Sequence, residues 1–317
     1  MNENQSKLMR DCLIEKICDE MSKNKKIFFL SADFGALALD RLRTKFKDRF
    51  INVGIAEQNL INISTGLAME GFIVFAYGIS AFISMRCYEQ LRINLSLFSQ
   101  FRNINVNLIG VGSGLSYDIS GPSHHCLEDI SIIRTLPNFI LFSPSDYILT
   151  EKFTKFAISV KKPKYMRLDG KPLPQIYNSI RSINLENGFY ELIEGEKVCM
   201  VSTGFMTHKA LKVANKLKNK ISVGVIDVFL LKPINEDLLL DSLKKYRYII
   251  TIEEAFINKG GLDSIISNLL VSKAHNIRLQ RIGFNDTHIF TVGNREYLHR
   301  LHGLDEENII AVIEENS

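Results

Sequence analysis

The chain has 317 residues, 46% of them hydrophobic, and a net charge of +4. That length and composition predict two domains with substantial cores. The charge is too mild, and the lysines at 23–26 and 216–220 too scattered and too poor in neighbouring aromatics, for a nucleic-acid surface. Five cysteines (Cys12, Cys18, Cys87, Cys126 and Cys199) form no CxxC pair, which argues for a reducing compartment and against a metal cluster. No apolar run is long enough to cross a bilayer, and MNENQSKLMR lacks a signal-peptide core, so a cytoplasmic protein is expected.

Leu8, Cys12, Leu13, Ile17 and Met21 fall at helical spacing, and Ile27–Leu30 reads as a short buried strand. In FINVGIAEQN, Ile51, Val53 and Ile55 alternate as a strand, and Leu60–Met69, closed by Gly71, reads as a helix packed on it. Glu57 stands at that junction. A carboxylate there is poorly hydrated and needs a partner or a proton. The plainer reading is a helix-start acid facing water at the positive end of the helix dipole. Phe72–Ala76, Ile104–Val111 and Phe139–Phe142 are further strand-length runs, with helical segments near 84–101 and 146–160. Such alternation implies a parallel sheet with helices on both faces. Ligands collect at the carboxyl-end loops of these sheets, here Ser31-Ala32-Asp33, residues 112–122 and Ser143–Asp146.

After Lys164–Leu168 the texture changes, and Asp169–Asn187, with little periodicity, reads as a linker. A second alternation follows. Val198–Ser202, Ile221–Val228, Tyr248–Ile252 and Ile277–Ile282 are strands; Thr207–Leu217, Asn235–Leu243 and Leu262–Ser272 are helices. The expected architecture is two three-layer α/β domains with mainly parallel sheets, over 1–170 and 191–317, joined by a linker at 171–190.

The loop GVGSGLSYDISGPSHHCLE (Gly110–Glu128) follows an apolar strand, but it lacks the third glycine of a dinucleotide fingerprint and the lysine of a P-loop. A nucleotide-binding electron-transfer protein is therefore a weak reading. Its stronger content is His124-His125, just before a helix. A histidine there can donate to a developing alkoxide or move a proton, or simply cap the helix. No carboxylate at a ligand offset completes a metal site with the pair. Arg167, ending a strand, can fork onto a phosphate or carboxylate or pair with an aspartate such as Asp169. Phe82, at a strand-to-helix junction, is either core or a stacking plate for a flat ring. Glu253-Glu254, at a strand end with no nucleophile nearby, reads as structural.

Together these segments resemble the transketolase family. FINVGIAEQN, GLAMEG, FISMRCYEQLR, SGPSHHCLEDISIIRTLPN, SPSD and YMRLDG occur in the family's order, followed by VSTGFMTHKAL, VIDVFLLKPI and TIEEAFINKGGLDSII. The resemblance runs from about Arg10 to the C-terminus and is to the C-terminal half of a split transketolase. 1-Deoxyxylulose-5-phosphate synthase and the beta chains of 2-oxoacid dehydrogenases share the architecture.

The resemblance implies a thiamine diphosphate enzyme whose first domain holds the aminopyrimidine ring. Glu57 then hydrogen-bonds the N1′ nitrogen and exchanges a proton with it. Phe82 stacks on the ring, with Ile83 beside it, and Asp33 lies near the cofactor at the subunit contact. His124 sits near the reacting carbonyl, while Arg167 and Arg10 bind a sugar phosphate. No Gly-Asp-Gly motif of the kind that holds diphosphate through Mg2+ occurs. The resemblance thus implies a separate N-terminal, diphosphate-binding subunit, an α2β2 heterotetramer, and inactivity of this chain alone. Many transketolases carry a histidine where Gly112 stands and a sugar-binding aspartate where Ser120 stands, so a substrate other than an ordinary pentose phosphate is expected. A 2-oxoacid-decarboxylating acyl transferase and a non-catalytic scaffold subunit are the alternatives.

Overall fold

The computed structural model describes residues 6–178, 183–273 and 277–316. Residues 179–182 of the expected linker, and the extreme ends of the two expected domains, lie outside the described residues. In the first half the strands are β1 (Ile27–Ser31), β2 (Phe50–Asn52), β3 (Ile73–Ile79), β4 (Val106–Val111), β5 (Ile140–Phe142) and β6 (Lys164–Leu168). In the second they are β7 (Phe189–Ile193), β8 (Val198–Ser202), β9 (Val223–Val228), β10 (Leu230–Lys232), β11 (Tyr248–Phe256) and β12 (Arg278–Phe284). They form a seven-stranded sheet, β10-β5-β6-β4-β3-β1-β2, and a five-stranded one, β12-β11-β8-β9-β7. Among the described residues, only strands β10 and β7 run antiparallel to their neighbours. Strands β4, β5 and β6 are buried at every residue, as parallel strands covered on both faces must be.

The first sheet is covered on one side by α1 (Met9–Lys23), whose buried Leu13, Ile17 and Met21 form the expected stripe, and by α2 (Ala38–Lys45). On the other side lie α3 (Glu57–Met69) and an irregular helical stretch. That stretch contains a π-helical turn Phe82–Arg86, a single turn α4 (Tyr88–Gln90) and a second π segment Leu91–Leu97. The later helices are α5 (Asp129–Arg134), α6 (Tyr147–Ser159), α7 (Phe205–Leu217), α8 (Glu236–Leu243), α9 (Leu262–Ser272), α10 (Arg295–Leu301) and α11 (Glu306–Glu314). One core runs from Leu30, Leu60 and Ile83 through Tyr165 to Ile249 and Leu262, so the two halves share an apolar interior.

Three features differ from the sequence reading. Strand β2 stops at Asn52 because Gly54 adopts φ +78, which leaves Ile55 76% exposed instead of in a strand. Strand β10 comes from the second half yet pairs with β5 of the first sheet. The segment after β6 is anchored, with Leu173 bridging Lys7 through reciprocal backbone hydrogen bonds and the Tyr177 hydroxyl donating to Asp227 at 2.8 Å.

Candidate active site

Register places the site. Ser31 pairs with Asn52 and Tyr77, Ile79 with Val111, and Val111 with Leu168, so β1, β2, β3, β4 and β6 open their following loops along one carboxyl edge. That edge is where open α/β sheets bind ligands.

Glu57 is the first residue of α3 and is 3% exposed. It shares the inward face with Leu60, Ile61 and Ser64, all buried, and this spacing draws the carboxylate off the surface. Its Oε2 accepts from Arg86 Nη1 at 2.7 Å. Its Oε1 accepts no hydrogen bond among the described residues. The π turn brings Phe82 and Arg86 onto one face, and the guanidinium carbon lies 4.5 Å from the Phe82 ring centre. The same half-buried ring meets His124 edge-on at 5.3 Å. A buried acid, a cation, an aromatic plate and a histidine thus form one continuous group. Arg86 was missed from sequence, being 29 residues from its partner.

The structure separates the two histidines. His124 is half-buried, with Nδ1 3.0 Å from Ser123 Oγ. His125 turns inward, and its Nε2 lies 3.1 Å from the Asp118 carbonyl oxygen.

The other sequence-derived candidates are placed as follows. Asp33 is exposed at the end of β1 with φ +55, held by Asn52, whose Nδ2 donates to Asp33 Oδ1 at 2.7 Å. Ile83 is fully buried in the core beneath the Phe82 turn. Ser120 lies exposed on the turn Asp118–Ser120. Arg10, on α1, donates from Nε to Asp11 at 3.1 Å. Arg167 is buried in the protein interior, its Nε 2.9 Å from both carboxylate oxygens of Asp129 and its Nη2 3.0 Å from the Glu254 carbonyl oxygen. Burial disfavours its charge, but Asp129 holds the guanidinium firmly protonated. Its partner is therefore Asp129, while Asp169 pairs with Arg295 at 2.7 Å.

Glu253 and Glu254 occupy structural posts. Glu253 accepts from the backbone of Leu262 and Asp263 at 2.7 and 2.8 Å and so caps α9. Glu254 accepts from Arg295 Nε at 2.7 Å, from His299 Nε2 at 2.6 Å and from the Leu115 backbone at 3.2 Å. Burial works against that charge, yet Arg295 and His299 keep the Glu254 carboxyl well below its usual range. The Arg295 backbone donates to Asp118 at 2.6 Å. The second half of the chain therefore pins both ends of the 115–118 turn, which leads into His124.

With this geometry in place, comparison gives the class. Residues 5–174 match the transketolase pyrimidine binding domain and residues 190–309 the transketolase C-terminal domain. The chain belongs to the transketolase family, a thiamine diphosphate-dependent family of transferases, as the half that carries these two domains. It is 32% identical over 268 residues to one of the subunits of an apulose-4-phosphate transketolase from Actinobacillus succinogenes, covering 84% of each chain. It is 32% identical over 304 residues to a putative transketolase C-terminal section of Methanocaldococcus jannaschii, covering 95% of this chain and 93% of that one. A 6-deoxy-6-sulfo-D-fructose transketolase subunit of a Clostridium species is 29% identical over 309 residues, covering 97% of this chain and 94% of that one. Among solved structures, a split-gene transketolase described as an inactive beta4 tetramer superposes with a TM-score of 0.86 at 30% identity, covering 97% of each chain. Among the described residues no helix is long and apolar enough to cross a membrane.

Proposed function

We propose that this chain supplies the proton-handling half of a two-chain transketolase, with thiamine diphosphate lying between it and a diphosphate-binding partner that holds Mg2+. The observation that carries the reading is Glu57: a buried carboxylate with one oxygen fixed by Arg86 and the other unused, beside the Phe82 ring. That donor set fits a basic ring nitrogen and a flat heteroaromatic face. When bound, thiamine diphosphate supplies a nucleophilic carbon and an electron sink for breaking and remaking a carbon–carbon bond beside a carbonyl. Glu57 holds the proton that the ring nitrogen needs, in a site too dry for water to compete. Arg86 fixes that acid's orientation, and Phe82 sets the plane of the ring. His124 faces the substrate side and hydrogen-bonds the oxygen on which charge develops. Asp33 and the exposed Ile55 belong to the edge that meets the partner, which completes the site in an α2β2 assembly.

The relatives named for apulose 4-phosphate and 6-deoxy-6-sulfofructose support a keto-sugar substrate outside the ordinary pentose phosphates. Gly112 and Ser120 support the same reading, because they offer the sugar no charged side chain. Arg167, spent on Asp129, acts as a strut under the site. Co-expression with a partner chain carrying Gly-Asp-Gly, followed by ketol-transfer assays, tests the proposal. The paired chains turn over a ketose donor, each chain alone does not, and Glu57→Ala in the pair abolishes turnover. Unchanged turnover in that variant refutes it.

A further inference from the structure

The loop that carries His124 also carries Tyr117, an aromatic that the proton-handling group leaves unexplained. Its ring lies over two glycines that follow β4 and β6. A Cβ at Gly112 would stand 2.1 Å from Tyr117 Cε2, and one at Gly170 would stand 2.7 Å from Cε1. Gly112 also has φ +99, so no other residue is easily accommodated beneath the ring. Phe34, just after β1, meets Tyr117 edge-on at 6.4 Å and stacks on Tyr77 of β3 at 5.2 Å. The loops after β1, β4 and β6 therefore converge on one ring at the ligand-binding edge.

The polar ends of these rings are unusual. The hydroxyls of Tyr77 and Tyr117 are both buried, and neither donates to an acceptor among the described residues. A phenol used only for packing normally finds its hydroxyl a partner. Arg10 acts on both rings as a neighbouring cation, and burial pushes the Tyr117 phenol up to about 12, so it stays a donor at neutral pH. Two donors and a cation, with no acceptor from the chain, suit an oxygen-rich group that arrives from outside.

We infer that Tyr117 determines substrate specificity: its ring, seated on Gly112 and Gly170, closes the end of the sugar cleft, and its hydroxyl, with that of Tyr77, takes an oxygen at the far end of a short polyhydroxylated chain. This inference rests on the ketol-transfer reading. The ring limits how long a sugar fits, while the hydroxyl rewards a terminal oxygen. The two contributions separate by substitution.

The test uses the two-chain complex with thiamine diphosphate and Mg2+, and measures kcat/KM for glycolaldehyde, glyceraldehyde, erythrose and ribose as acceptors. Tyr117→Ala raises the ratio of kcat/KM for the longest acceptor over the shortest by about tenfold or more, through the space it opens. Tyr117→Phe keeps the parent's length preference but raises KM for the acceptor the parent prefers. Tyr117→Leu, smaller but still apolar, shifts the length ratio in the same direction and serves if the alanine variant does not fold. A ratio unchanged in Tyr117→Ala or Tyr117→Leu, with turnover intact, overturns the inference. Absence of turnover by the parent complex with every ketose donor removes the underlying reading, and this inference with it.

Discussion

Arg86 Nη1 lies 2.7 Å from Glu57 Oε2 while its guanidinium carbon lies 4.5 Å from the centre of the Phe82 ring, so one cation ties the acid to the aromatic plate. The Arg86 side chain is 44% exposed but that of Glu57 only 3%, so the pair fixes the acid's geometry and also compensates its burial. Arg86→Ala is expected to lower kcat by about 100-fold through misplacement of the carboxylate. The same change leaves the buried Glu57 carboxylate without its cation and should also cost about 1–3 kcal/mol of stability. Arg86→Lys, which keeps the charge without the planar stack, should fall between. Steady-state kinetics at a temperature where the variant stays folded, beside thermal melts, check both halves, and turnover unchanged in a folded Arg86→Ala protein would contradict the assignment.

The two adjacent histidines are expected to fail differently. His124 meets Phe82 at 5.3 Å and is half-buried, whereas His125 is buried against the Asp118 carbonyl. His124→Asn should cut turnover by about 100-fold, within the usual range for loss of a proton-transfer group, with an unchanged melting temperature. His125→Ala should instead destabilise the fold by about 1–3 kcal/mol, because its partner carbonyl is left buried and unpaired. The reverse pattern would reassign the pair.

Much of this arrangement is legible in the amino-acid sequence because it rests on local patterns. Glu57 is marked by apolar runs on either side, and Cys12, Leu13, Ile17 and Met21 of the expected stripe lie on the buried face of α1, with the half-buried Leu8 just before its first residue. What escaped depends on distance in the chain. Arg86 lies in a π turn, whose spacing a 3.6-residue pattern does not register. Leu230–Lys232 is too short to read as a strand, and its partner β5 lies far back in the chain. Glu254 has no local mark of its role, which Arg295 and His299 create 41 and 45 residues later.

That long-range cluster gives the next prediction. Glu254, Arg295 and Asp169 are buried together, with Arg295 bonded to both acids. Arg295→Met leaves two buried carboxylates without their cation and should destabilise the protein by about 3–5 kcal/mol. It should also loosen the 115–118 turn, seen as faster hydrogen exchange at Leu115, whose amide donates to Glu254 at 3.2 Å. Exchange at Leu115 unchanged in a folded Arg295→Met protein would show that the turn stands without the second half.

Asp227 gives a pH-dependent test. It is fully buried, accepts from Tyr177 and Thr207 hydroxyls at 2.8 and 2.9 Å, and burial pushes its carboxyl up from 3.8 to about 7. Because the folded state binds this proton more tightly than the unfolded chain does, the stability it contributes is full below about 3.8 and is lost as pH rises through about 7. His208 works in the opposite sense: burial lowers it from 6.5 to about 4, so its contribution is lost as pH falls through that window. His208 is present in parent and variant alike and cancels between them. The melting temperature of Asp227→Asn minus that of the parent should therefore become steadily more positive as pH rises from about 4 to about 7. A difference that stays flat across that window would contradict a neutral Asp227 in the fold.

The central claim is that Glu57 moves the proton on which cofactor activation depends, and it is tested most directly by hydrogen–deuterium exchange at the thiazolium C2 position of thiamine diphosphate bound in the two-chain complex. Glu57→Gln, which preserves shape and removes the exchangeable acid, is predicted to slow that exchange by about 100-fold or more while the cofactor stays bound. Exchange as fast in Glu57→Gln as in the parent complex would contradict it.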